Sequence, residues 1–133
     1  MIGDSLTSEL LQKALDGTWQ RQRVIANNIA NHETPGYKAG KVTFEKSLDQ
    51  EIKRLQNGFC STEGITQGLK DIANTKINVR SDYSTSERAD GNNVNLDSEN
   101  IDMAKTQIQY QYLTRSMTDM FSRLRYAISE GKR

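Results

Sequence analysis

The chain has 133 residues, about one domain's worth, of which 35% are hydrophobic, 26% charged and 7% aromatic. Eighteen Lys and Arg against seventeen Asp and Glu leave a formal charge of +1. These charges are spread evenly along the chain, which argues against a basic nucleic-acid stripe and against a polybasic membrane patch. One cysteine (Cys60) and one histidine (His32) exclude an internal disulfide and a zinc site built by this chain unaided. No run approaches the ~18 apolar residues of a membrane span, and the start Met1-Ile2-Gly3-Asp4-Ser5 leads to the expectation of no cleaved signal. A mean hydropathy of −0.76 implies a small or thin core.

The first periodic segment runs from about Asp4 to Asn31. Leu11, Leu15, Thr18, Gln22, Ile25 and Ile29 recur at alternating spacings of four and three, which predicts a long helix with one seam-like face. Gly17 is a mild weakness within it, and Trp19 is expected to pack in the helical layer, within the subunit or between subunits. Three asparagines then fall close together, Asn27, Asn28 and Asn31. Asn is a poor helix former; on a seam it can fix register, and Asn31 can take the left-handed conformation that ends a helix. Thr34 precedes proline and is pushed to extended geometry. Pro35-Gly36 suits the two central positions of a type II turn, which returns Tyr37 toward the structure.

In the middle, Phe44, Leu48, Ile52 and Leu55 predict a short helix over 44–56. From Asn57 to Asn93 the chain carries four of its nine glycines with many Ser, Thr, Asn and Asp, and reads as loop. Within it, Lys76–Arg80 alternates and predicts a short strand. Asp90, Asn92, Asn93 and Asn95 hint at a calcium loop, but that reading would put Asn95 where the loop needs glycine and Ile101 where it needs glutamate. A polar turn before a helix is the better reading.

The last segment is the most regular. Met103, Thr106, Tyr110, Leu113, Met117, Met120, Leu124 and Ala127 keep the same three–four alternation, with Ala104, Ile108, Phe121 and Ile128 flanking. Asp97 is a candidate N-cap, stapled by Leu96 and Ile101, and Asn95 competes for the role. Gly131 is expected to stop the helix. Cys60 and His32 lie on separate polar segments with nothing to complete a nucleophile–base site. No catalytic residue, cofactor, metal or small-molecule substrate is therefore expected.

The stretch Ala26-Asn27-Asn28-Ile29-Ala30-Asn31, with Thr34-Pro35-Gly36-Tyr37-Lys38 after two intervening residues, resembles the N-terminal signature of flagellar axial proteins. The block Asp90-Gly91-Asn92-Asn93-Val94-Asn95-Leu96-Asp97, followed by Met103-Ala104-Lys105 and Gln109-Tyr110-Gln111, is similar to the start of the C-terminal helix in the proximal rod protein B family. The short middle fits that family, since distal rod and hook proteins carry a large insert there. The resemblance covers roughly residues 4–45 and 88–130. It implies a structural subunit that polymerises with copies of itself and other rod proteins into a drive shaft around an export channel. It also implies export by the flagellar type III apparatus with an uncleaved N-terminus, and contact with the rod–ring adapter, the membrane ring and the export gate.

The resulting expectation is a mainly α fold. N- and C-terminal helices pack as an antiparallel, coiled-coil-like pair, joined by an extended, partly ordered middle with a possible short β element. The regions are 1–31 (N-terminal helix), 32–94 (turn, short helix and extended loop) and 95–133 (C-terminal helix). The expected turn motif for assembly is Asn27, Asn28, Ile29, Asn31, Thr34, Pro35, Gly36 and Tyr37. The expected helix seam is Leu11, Leu15, Ile25, Ile29, Met103, Tyr110, Leu113, Met117, Met120 and Leu124. The competing reading is a small helical-hairpin binding module or export chaperone.

Overall fold

The computed structural model describes residues 2–58, 62–83 and 88–130. Four helices and two strands follow in the order α1 (Ile2–Ala30), β1 (Gly40–Thr43), α2 (Glu45–Gly58), α3 (Thr62–Ala73), β2 (Asn78–Ser81) and α4 (Leu96–Glu130). At 1.5 Å per residue, α1 and α4 are about 43 and 52 Å long. They pack against each other along their length. Asn28, near the end of α1, bonds Glu99, near the start of α4, while Thr7 and Leu11 share a groove with Ser116 and Met120. The pair is therefore antiparallel, as expected.

β1 and β2 form an antiparallel ribbon in the register Gly40↔Ser81, Lys41↔Arg80, Val42↔Val79 and Thr43↔Asn78. The ribbon is laid against α1 through β1. Val42 and Phe44 meet Val24 of α1 in a small core, with Ile77 packed on it. The Phe44 ring points at Gly17, where an added Cβ would come within 2.6 Å of three ring atoms. Gly17 is thus the site at which the ribbon's aromatic reaches the helix backbone. The sequence showed only its cost in helix propensity.

Three local features differ from expectation. Residues 62–73, expected as loop, form α3, whose Ile72 is fully buried where the helix packs on α1 and α2. The glycines at 64 and 68 hide the helix from propensity, but Ile65, Leu69 and Ile72 keep the spacing of one helical face. The N-cap of α4 is Asn95 and not Asp97: Asn95 Oδ1 accepts from the backbone N–H of Asp97 (3.1 Å) and Ser98 (3.2 Å). Asn31 does not end α1 in the left-handed conformation, since among the described residues only Gly36 and Gly91 have positive φ. The short helix falls at 45–58, and the strand at 78–81, close to where each was expected. Trp19 is 52% exposed, so within the subunit it is not a packing residue. The expected stop at Gly131 and the thiol of Cys60 lie outside the described residues.

Replacing Gly17 by Ala tests the close approach. Helix propensity alone would add about 1 kcal/mol of stability, whereas overpacking costs about 1–3 kcal/mol. Gly17→Ala should lower Tm followed by circular dichroism, and in a Phe44→Leu background the same change should raise it.

Candidate assembly site: the corner and the seam

The corner is built where α1 runs out of helical partners. The Asn31 N–H donates to the carbonyls of Asn27 and Asn28 (both 3.1 Å), and the His32 N–H to Ile29 (3.3 Å), so the helix tightens as it ends. Asn31 Nδ2 donates back to Asn27 O (2.8 Å), and its Oδ1 accepts from the Thr34 hydroxyl (3.2 Å). The Tyr37 N–H donates to Thr34 O (3.2 Å), which makes Pro35 and Gly36 the central pair of a turn, with Gly36 at φ +71°. Thr34, Pro35 and Gly36 are exposed at its tip, and Asn27 is exposed on the helix; Ile29, Asn31 and Tyr37 are half-buried.

Asn28 is the centre of this arrangement and is 1% exposed. Its Nδ2 donates to Gly40 O (2.9 Å) and Glu99 Oε2 (3.1 Å). Its Oδ1 accepts from Gly40 N–H (2.8 Å) and the Tyr37 hydroxyl (3.3 Å). One amide thus joins α1, the returning tyrosine, β1 and α4 with its full hydrogen-bonding capacity in use. A side chain at position 40 would meet Val24 at 2.8 Å, so the close approach to Asn28 needs glycine there.

The segment before α4 closes over the corner from outside. Fully buried Asn92 directs its Nδ2 at the carbonyls of Asn31 (3.0 Å), His32 (3.0 Å) and Thr34 (2.9 Å). Its Oδ1 accepts from Val94 N–H (2.7 Å). Gly36 N–H donates to Asp90 O (2.9 Å), Lys38 Nζ to Gly91 O (2.8 Å), and Ala39 N–H to Asn93 Oδ1 (2.8 Å). Arg88 Nη1 donates to His32 O (2.8 Å). The polar turn expected at 90–95 is therefore the second half of the corner. Asn92, Asn93 and Glu99 were missed as site residues; the only sequence signal was the density of Asn on both sides of the contact. His32 Nδ1 lies 2.9 Å from Ile29 O, within the turn. Among the described residues no group of three His, Cys, Asp or Glu is placed to hold a metal.

Beside the corner, α1, β1 and α4 frame an open groove of about 340 Å³ lined by charges of both signs. Burial pushes the Glu99 carboxyl above its ordinary range, with Asp102 adding to the rise and the Asn28 bond and Lys41 opposing it. Lys41 is raised by its hydrogen bond to Asp82 (2.5 Å), against some desolvation. Burial would push Glu45 up, but the hydrogen bond from Arg21 and its backbone donors outweigh this and hold it low. The Arg21 guanidinium also lies 5.1 Å over the Phe44 ring.

Along the seam, burial is graded. Ile25 is buried, and Leu11, Leu15 and Ile29 are half-buried. Thr18 and Thr106 are 3% and 2% exposed, with their hydroxyls turned onto carbonyls of their own helices. On α4, Met103, Leu113, Met117, Met120 and Leu124 are only half-buried, and Tyr110 is 37% exposed at the edge of the row. No described residue of α4 beyond Thr106 is fully buried.

A long antiparallel helix pair with a locked corner and a half-covered seam defines a structural subunit built for helical packing. The chain matches the family described as "Flagella basal body rod protein" over residues 11–38, from the seam through the turn. It is 38% identical over 128 residues to flagellar basal body rod protein FlgB of Bacillus subtilis, covering 95% of each chain. It is 32% identical to FlgB of Borrelia hermsii (92% of this chain, 96% of the other) and 30% identical to FlgB of Escherichia coli K12 (90% and 91%). The chain belongs to the FlgB family of flagellar basal body rod proteins, and its role is that of a structural subunit of the basal-body rod.

Two outcomes test the corner. Asn92→Ala removes the amide's bonds to three carbonyls and leaves the buried Val94 N–H without its acceptor, and should cost about 1–3 kcal/mol in urea unfolding. Asn92→Asp should cost more, because it sets an acceptor against three carbonyl oxygens. For Glu99, a folded-state pKa above the ordinary 4.5 means that its contribution favours the fold below that value and is lost as pH rises through the raised folded pKa. Glu99→Gln keeps an oxygen for Asn28 and removes the charge. Its Tm advantage over the parent chain should therefore be larger at pH 7 than at pH 4; an advantage independent of pH would refute the burial penalty.

Proposed function

We propose that this rod subunit assembles through the uncovered side of its helix seam, and that the Asn27–Tyr37 corner is the rigid element that sets the angle at which the rest of the chain leaves the helices. The graded burial of α4 carries this reading: beyond Thr106 its apolar row is half-covered at best, while Phe121 and Ile128 keep 54% and 68% of their surface open. A seam that one chain covers on one side is completed by packing shared between chains, and heterologous packing that does not close generates a helical polymer. In this division residues 1–31 and 95–133 supply the helical wall of the rod, and residues 32–94 supply the corner and the material outside the wall.

Assembly with other components of the rod follows from membership of the family. Its more specific neighbours would be the rod–ring adapter, the membrane ring and the export gate, with delivery by the flagellar type III apparatus and an N-terminus that stays uncleaved. Even charge balance and few aromatics support passage of an unfolded chain, since both weaken collapse before assembly. A non-catalytic role is supported by His32, whose ring is engaged by the turn that it belongs to.

Leu124→Asp tests the assembly reading. It places a charge in a seam that must become fully apolar on packing, at a cost of several kcal/mol. The variant should be secreted as the parent chain is but be absent from purified basal bodies, and swimming should be lost. Normal motility would show that the seam is not an assembly surface.

A further inference from the structure

Two exposed rows are left uncovered by any other helix or strand among the described residues. On α1 the outward row is Gln12, Asp16, Trp19, Arg23, Ala26 and Ala30, all exposed, with spacings of 4, 3, 4, 3 and 4. On α4 the row is Ile101, Lys105, Ile108, Tyr112, Arg115 and Asp119, also all exposed and with the same spacings. The α4 row is far more apolar than an isolated helix surface requires: Ile101, Ile108 and Tyr112 are 56%, 67% and 73% exposed. The α1 row carries the single tryptophan, 52% exposed, with the Arg23 guanidinium 4.9 Å over its ring.

We infer that the α1 row of one subunit packs on the α4 row of the next copy, antiparallel, in the register that sets Trp19 against Tyr112 and Asp16 against Arg115. In that register every pair is compatible. The Gln12 amide meets the Asp119 carboxylate, Asp16 and Arg115 form an ion pair, and Trp19 and Tyr112 form an aromatic pair. Ile108 faces the Arg23 stem, the Lys105 stem lies over Ala26, and Ile101 sits over Ala30. Large residues face small ones along the Ala end, as ridge-into-groove packing requires. No like charges are opposed. Asp16 and Arg115 make no ion pair within the chain among the described residues, so each is available.

The identical spacings would also permit a parallel contact, with Asp16 on Lys105. Direction is decided by symmetry: copies related by rotation and rise about one axis keep one polarity. With the helices along that axis, α1 of one copy meets α4 of the next in the antiparallel sense already present inside the subunit, where helix dipoles also compensate. The inference rests on the assembly reading above, with a second copy of this chain as partner.

The test is a disulfide between copies in purified basal bodies, from cells that express two tagged forms in a Cys60→Ser background. One form carries Ala26→Cys and the other Lys105→Cys, so only contact between copies can link the two tags. The antiparallel register is expected to give the mixed dimer. Pairing Ala26→Cys with Arg115→Cys, which the parallel register would bring together, should give none. In a separate assay, Asp16→Arg and Arg115→Asp should each reduce incorporation at least about tenfold, and the double variant should restore it. A crosslink in the 26–115 pair, or none in either pair from intact rods, overturns the register. If cysteines block incorporation, the charge exchange decides: single reversals that incorporate normally, or a double variant no better than the singles, also overturn it. Absence of the unmutated tagged chain from basal bodies would instead overturn the assembly reading itself.

Discussion

The amide of Asn28 is the constraint around which the corner is arranged. It is almost fully buried on a helix, where Asn is a poor choice for propensity, and it makes four hydrogen bonds to three other parts of the chain. A buried amide that lost one of these partners would retain the desolvation cost of the unpaired atom. The four contacts are therefore mutually enforcing: β1 must approach at Gly40, Tyr37 must return, and α4 must begin with Glu99 in reach. Asn92 repeats the device from the other side, adding a donor to the carbonyls of Asn31, His32 and Thr34 where α1 ends and accepting from the Val94 N–H. Neither amide could be replaced by an apolar residue of the same size without abandoning those backbone groups.

This division of labour separates two kinds of stability in one small protein. The corner and the Val24–Val42–Phe44 cluster are closed and internally satisfied; among the described residues no buried side-chain nitrogen or oxygen lacks a partner. The far half of α4 is open, and its apolar side chains keep much of their surface in water. A polymer subunit benefits from that asymmetry. In the proposed assembly the corner holds a fixed geometry in every copy, while the uncovered side of the helices packs on neighbours. The ion pairs beside the corner add little net stability, since they are partly solvated.

The long helices were legible because burial on one side of a helix leaves a repeat of three and four, and both rows carry it over many turns. The turn was legible for a different reason: Pro fixes one backbone angle, and Gly permits another that few residues adopt. α3 was hidden because its two glycines and two threonines read as loop, whereas the burial of Ile72 against α1 stabilises the helix from outside the segment. Gly17 was misjudged for the same reason. Its role is set by Phe44, which lies 27 positions further along the chain, at the end of a strand that the local sequence does not announce.

By itself, then, the sequence determined which segments would be long helices, where the first one stops and reverses, and that the chain resembles a family of structural subunits. Those properties reside in local periodicity and in the backbone preferences of single residues. Tertiary structure decided the rest: that Asn28 and Asn92 lock the corner, that Ile72 is buried beneath α3, and that Trp19 faces outward. Each of these depends on which polar groups and surfaces are left without a partner once the helices and the ribbon have packed. That remainder is a property of the assembled chain, and no stretch of neighbouring residues encodes it.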